Sequence, residues 1–162
     1  MKIAALAAAA LLPALAACTT GSAPPEPHVF VMRHLHKAAG DDPGLTPQGE
    51  ACAASLASFL SGQRLSGIYA SATRRARETA APVAAASDLT VQDYAPTDAA
   101  GVAARARAET GSALIVGHSN TVPDIVERLG GTRPGPIDES RYGELWRVSR
   151  GGAVLAMTIP GC

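Results

Sequence analysis

A run of hydrophobic and β-branched residues, Val29-Phe30-Val31-Met32, stops abruptly at an arginine and a histidine, Arg33-His34. The stretch from His28 to His34 reads as a buried strand with its polar pair at the carboxyl end. In an open α/β sheet that end is where ligands bind. An arginine there can grip an oxyanion, and a neutral imidazole beside it can attack what the arginine holds. The pair therefore predicts a phosphate-handling site, provided other segments supply partners.

The alternation that follows supplies them. Thr46 and Pro47 are a good N-cap and first helical residue, opening a helix through Leu60, with Gly62 closing it. Leu65 to Ser71 is a second strand. Thr73 to Ala86 is a second helix, which Pro82 is expected to kink. Leu89 to Gln92 is a short third strand, and Thr97 or Asp98 caps a third helix running to about Glu109. Ser112 to Gly117 is a continuous apolar strand, Thr121 to Leu129 a fourth helix, and two strands, 144–149 and 153–159, meet at Gly151-Gly152 as a hairpin. Strands alternating with helices predict a three-layer α/β/α domain over 28–162, with a mainly parallel sheet and a terminal hairpin.

Three strand ends then deliver polar groups to one edge. The first brings Arg33 and His34. The second brings Ser71 and, one turn into its helix, Arg75. The fourth brings His118, Ser119 and Asn120. Helix N-termini after Ser71 and Asn120 add N–H donors. Two arginines and two histidines around one pocket suit a tetrahedral oxyanion. Composition adds no competing signal. The 14 basic residues balance 14 acidic ones, and aromatics make up 4%, which argues against a nucleic-acid partner.

Four segments resemble, in order, the motifs of the histidine phosphatase superfamily, whose fold is that of phosphoglycerate mutase. Met32-Arg33-His34 is similar to its Arg-His signature and Leu45-Thr46-Pro47-Gln48-Gly49 to its Leu-Thr-x-x-Gly helix start. Ser71 to Thr79 is similar to its Ser-x-x-x-Arg-Ala-x-x-Thr element, and Val116-Gly117-His118-Ser119 to its Gly-His segment. The resemblance spans His28 to about the last strand. It implies that His34 is a nucleophile forming a phosphohistidine. Arg33 and Arg75 would bind non-bridging oxygens and His118 would stabilise transition-state charge, with no metal or cofactor needed. Leu35-His36-Lys37 departs from the family pattern, and Lys37, Ser119 and Asn120 become candidate substrate contacts. Asp98 is the candidate proton donor and Asp93 the runner-up. The short chain leaves little room for the covering insertions of mutases, which favours a phosphatase acting on a phosphorylated small molecule or envelope component. Two other readings stay open: a non-catalytic lipoprotein that binds a phosphorylated ligand, and a metal-binding protein using His34, His36 and His118.

The first 17 residues read as an export signal: Lys2, an apolar stretch Ile3 to Leu12, then Leu15-Ala16-Ala17-Cys18. The cysteine after small residues resembles a bacterial lipobox. It implies lipidation of Cys18, a membrane anchor and a periplasmic domain; the alternative is an ordinary cleavage near Ala17. Thr19 to Pro27 is a proline-rich tether able to reach about 25 Å. In an oxidising compartment Cys52 and Cys162 are candidates for a disulfide, or else a buried thiol and a loose terminal one. Replacing Cys18→Ser is expected to release the protein from the membrane fraction, and unchanged sedimentation with membranes would overturn the lipid anchor.

Overall fold

The computed structural model describes residues 26–162. The export signal, Cys18 and most of the tether lie outside the described residues. Within them run β1 (His28–Arg33), α1 (Pro47–Phe59), β2 (Leu65–Ser71), α2 (Arg74–Ser87), β3 (Val91–Tyr94), α3 (Ala99–Ala108), β4 (Ser112–Gly117), α4 (Val122–Arg128), β5 (Glu144–Ser149) and β6 (Val154–Thr158). The strands form one sheet in the order β3-β2-β4-β1-β5-β6. The four strands from β3 to β1 are parallel, and β5 and β6 are antiparallel additions at one side.

Side-chain alternation along these strands divides the core in two. Phe30 and Met32 of β1, Ile68 and Ala70 of β2, and Leu114 and Val116 of β4 point to one face, where Leu56 of α1 and Ala80 and Val83 of α2 cover them. Val31, Tyr69, Ala113 and Ile115 point to the other, against Val102 and Ala106 of α3 and Ile125 and Val126 of α4. The period of two in the strands and the three-and-four spacing of the buried helix positions produce these layers together. α1 therefore leaves β1 toward one face while α4 leaves β4 toward the opposite one. β1 and β4 are neighbours, so a crevice opens between the two departing chains at the carboxyl edge.

One strand departs from sequence expectation. β3 lies two residues later than its apolar pattern suggests. Leu89, whose N–H bonds the carbonyl of Ala84, finishes the turn after α2 instead of joining the sheet. Asp88 adopts the left-handed conformation, φ 53°, as the C-cap of α2. Pro82 lies inside α2 without ending it. At the hairpin, Gly152 has φ +86° and a Cβ there would stand 2.4 Å from the carbonyl oxygen of Gly130, so both space and conformation call for glycine.

Cys52 of α1 and Cys162 are paired in a disulfide, their Cα atoms 5.4 Å apart and 110 residues apart in sequence. It fastens the chain beyond β6 to the helix that follows the first strand. Closing so long a loop restricts the unfolded chain, worth up to about 4 kcal/mol. The double substitution Cys52→Ala/Cys162→Ala is expected to lower the denaturant midpoint of the oxidised protein substantially. An unchanged midpoint, with two free thiols titrating in the unreduced denatured chain, would remove the bridge.

Candidate active site

The crevice is built from the register of β1 on β4. Arg33 lies opposite Gly117, and the next N–H, that of His34, donates to the Gly117 carbonyl at 2.9 Å. This sets His34 beside His118, with ring centroids 5.4 Å apart and the rings edge to face. Both face a cleft of about 420 Å³ whose walls include Lys37, Thr73, Arg75, Thr97 and Glu139.

His34 is buried and its orientation is fixed by backbone. Its Nδ1 lies 2.8 Å from the carbonyl oxygen of Leu35, an acceptor, so Nδ1 carries the proton and Nε2 keeps its lone pair. Leu35 is itself pinned: its N–H donates to Thr79 Oγ1 at 3.0 Å, and that hydroxyl donates to the Arg75 carbonyl at 2.8 Å. Thr79 is wholly buried. One threonine thus couples the peptide that orients His34 to the helix turn that presents Arg75. The Leu-Thr-x-x-Gly segment braces the same loop from the other side. Thr46 accepts the Gly49 N–H at 3.2 Å, while its own N–H donates to the His36 carbonyl at 2.9 Å. A Cβ on Gly49 would stand 2.2 Å from that carbonyl oxygen, so the helix can dock there only with glycine.

His118 is oriented by its two neighbours. Arg75 Nη2 can only donate, and it lies 3.5 Å from Nδ1; Nε2 therefore carries the proton and donates to Ser71 Oγ at 2.7 Å. Desolvation by burial, followed by the nearby arginine charges, pulls both histidines down to about 4; for His34 the Leu35 carbonyl opposes this in part. At neutral pH both imidazoles are uncharged.

Arg33 is almost fully buried, and the segment before β5 wraps its guanidinium. Nη1 donates to the carbonyls of Asp138, Glu139 and Arg141 at 3.2, 2.9 and 3.1 Å. Nη2 meets Glu139 Oε2 at 2.5 Å, and the plane stacks on Tyr142, 4.4 Å from the ring centroid. Nε of Arg33 and Nε of Arg75 are buried without a protein partner. Two orphaned cationic N–H groups beside a free imidazole lone pair fit an oxyanion ligand.

The other expected site residues divide. Lys37, Ser119 and Asn120 line the cleft. Asp98 does not: its carboxylate accepts the Gly101 N–H at 2.8 Å as the N-cap of α3, so the expectation that it donates a proton is corrected. Asp93 is exposed and held by Arg77 at 2.6 and 2.8 Å. His36 turns away from His34 and stacks on Tyr142, with ring centroids 4.1 Å apart. Among the described residues no group of three or more His, Cys, Asp or Glu could hold a metal ion. Glu139 was missed by sequence reasoning. It lies in the irregular segment between α4 and β5, which has no periodicity, and only tertiary folding carries it to the cleft. There Oε2 meets Arg33 and Oε1 accepts from Ser119 Oγ.

The model of the histidine phosphatase superfamily (branch 1) matches residues 33–95, the segment from Arg33 through Arg75 to the end of β3. A search of curated proteins finds no match. Among solved structures, that of the protein histidine phosphatase SixA complexed with tungstate is similar at 24% identity and TM-score 0.62, over 81% of this chain and 96% of that one. The mycobacterial glucosyl-3-phosphoglycerate phosphatase is similar at 14% identity and TM-score 0.59, over 82% and 97%. Phosphoserine phosphatase from Entamoeba histolytica is similar at 16% identity and TM-score 0.57, over 81% and 95%. At these identities the structures establish the fold. The family model covers the segment that carries Arg33, His34 and Arg75, and over that segment the chain is similar to the histidine phosphatase superfamily.

Proposed function

We propose that this protein is a phosphatase that hydrolyses phosphomonoesters or phosphohistidine through a phosphohistidine on His34, without a metal. The observation that carries the reading is the free Nε2 lone pair of a buried, neutral His34 in a pocket where Arg33 and Arg75 each leave Nε without a partner. Nε2 attacks phosphorus while the arginine N–H groups neutralise the equatorial oxygens and the Nε2–H of neutral His118 donates to one of them in place of its bond to Ser71. The ring becomes a cationic Nε2-phosphoimidazole whose Nδ1–H still bonds the Leu35 carbonyl, which disperses the new charge. Water then attacks phosphorus, the Nε2–P bond breaks, and its electron pair returns to the ring. The names of the similar solved structures, a protein histidine phosphatase and phosphatases of small phosphorylated acids, support this reaction class.

The same proposal places the enzyme at the cell envelope, exported and held by lipid on Cys18, acting on a phosphorylated envelope component or protein phosphohistidine. A non-catalytic phosphate-binding lipoprotein remains as the rival that one substitution separates. His34→Ala is expected to abolish release of p-nitrophenolate from p-nitrophenyl phosphate, a loss of at least about 1,000-fold, and to abolish acid-labile labelling of the protein by phosphate. Turnover unaffected by the change would refute the nucleophile.

The buried histidines also make stability depend on pH. Unfolded His34 titrates near 6.5, but the folded one is held at about 4, so between these values the unfolded chain binds more protons. Stability is therefore full above pH 6.5 and falls as the pH drops toward 4, by on the order of 3 kcal/mol from His34 alone. Urea midpoints from pH 7 to pH 4.5 are expected to fall in the wild type and to fall less in His34→Asn; parallel falls would show that His34 is not held neutral.

A further inference from the structure

The phosphohistidine reaction needs a group that takes a proton from the attacking water, and the expected carboxylates are occupied elsewhere. Asp98 caps α3, Asp93 holds Arg77, and Glu78 accepts the Leu45 N–H at 2.6 Å and Arg74 Nε at 2.7 Å. Asp42 reaches Arg75 Nη1 at 3.6 Å but is not among the cleft walls. Neutral His118 has given its proton to the bond with Ser71 and keeps its lone pair toward Arg75. Among the described residues that line the cleft, Glu139 is the only carboxylate.

Its setting is built. Each oxygen is held from one side, Oε1 by the Ser119 hydroxyl and Oε2 by buried Arg33, so the carboxylate plane cannot swing freely. It is largely exposed on its outer side, 72% of the side chain, where solvent enters the cleft. A carboxylate keeps lone pairs beyond one bond per oxygen, so it can still accept from a water on the side away from its braces.

Resting on the phosphatase reading, we propose that Glu139 is the general base of the dephosphorylation step, and that it biases the enzyme toward substrates whose leaving group departs without being handed a proton. In the first step the His34 Nε2 pair forms the N–P bond and the substrate's P–O or P–N bond breaks with its electrons on the leaving group. A ring-protonated N-phosphohistidine releases neutral imidazole, and an aryl phosphate releases a stabilised phenolate; neither takes a proton from the enzyme. An alkyl or sugar phosphate would release an alkoxide and needs one. In the second step water oxygen bonds phosphorus, its proton passes to a Glu139 oxygen, the Nε2–P pair returns to the imidazole, and Glu139 gives the proton to solvent. The hydrogen bond from Ser119 and the charges of Arg33 and Lys37 hold this carboxyl below the ordinary glutamate range, against the cost of its partial burial. That suits a group that starts each cycle as the base and makes it a poor acid for an alkoxide.

Rapid-quench kinetics of the full chain test this. With p-nitrophenyl phosphate, Glu139→Gln keeps an acceptor for Arg33 but loses the base. It is expected to release about one p-nitrophenolate per site in a burst, then turn over roughly 100-fold more slowly, with phosphoenzyme accumulating and kcat/KM near the wild-type value. The wild type is expected to hydrolyse phosphoramidate and p-nitrophenyl phosphate at least about 100-fold faster, by kcat/KM, than β-glycerophosphate. Unchanged kcat in Glu139→Gln overturns the base. So does an equal fall in kcat and kcat/KM without a burst, which would mean that the carboxylate only holds Arg33. Equal rates on β-glycerophosphate overturn the leaving-group bias. A burst that persists in His34→Ala would instead overturn the nucleophile and with it the underlying reading.

Discussion

The pairing of β1 with β4 is the constraint on which the rest depends. Arg33 opposite Gly117, followed by the His34 N–H on the Gly117 carbonyl, places the residues after both strands at one level of the sheet. A slip of one residue would send Phe30 and Met32 to the face now filled by Val31 and would point His34 at the wrong layer. The apolar cores on the two faces therefore hold the histidine pair in place. Packing energy that any α/β domain needs is also what fixes the 5.4 Å ring separation.

Around that register, neighbouring segments fix donor and acceptor roles more than they supply reacting groups. The Leu35 carbonyl and the Arg75 guanidinium settle which nitrogen of each imidazole carries a proton, and Thr79 ties Leu35 to Arg75. Burying Arg33 would be costly if its fork were unmatched. Three carbonyls, one carboxylate and the Tyr142 face match its terminal nitrogens, leaving Nε for a ligand. The cation is desolvated and preorganised before any phosphate arrives.

Much of this was legible in the sequence because it is local. The apolar runs of β1 and β4 end at polar residues, the Thr46–Pro47 cap marks the start of α1, and glycines mark the hairpin turn. The short β3 was displaced because its four residues carry little pattern of their own, and pairing with β2 decides their register. Asp98 misled because an aspartate three residues before a glycine inside a helix start serves equally as a cap, and capping won. Glu139 was invisible because nothing local distinguishes it from Asp138 or Glu144; its meaning comes from Arg33, 106 residues away.

The direction of β1 has a spatial consequence. The chain enters the sheet at His28 and reaches Arg33 at the opposite edge, about 20 Å on for six extended residues. The parallel strands β2 and β4 run the same way, so the cleft opens at the pole farthest from the chain's point of entry. A surface gripping the residues ahead of His28 would face the closed pole of the domain. His34 would look outward, away from that surface, and a bulky partner could approach the cleft without meeting it.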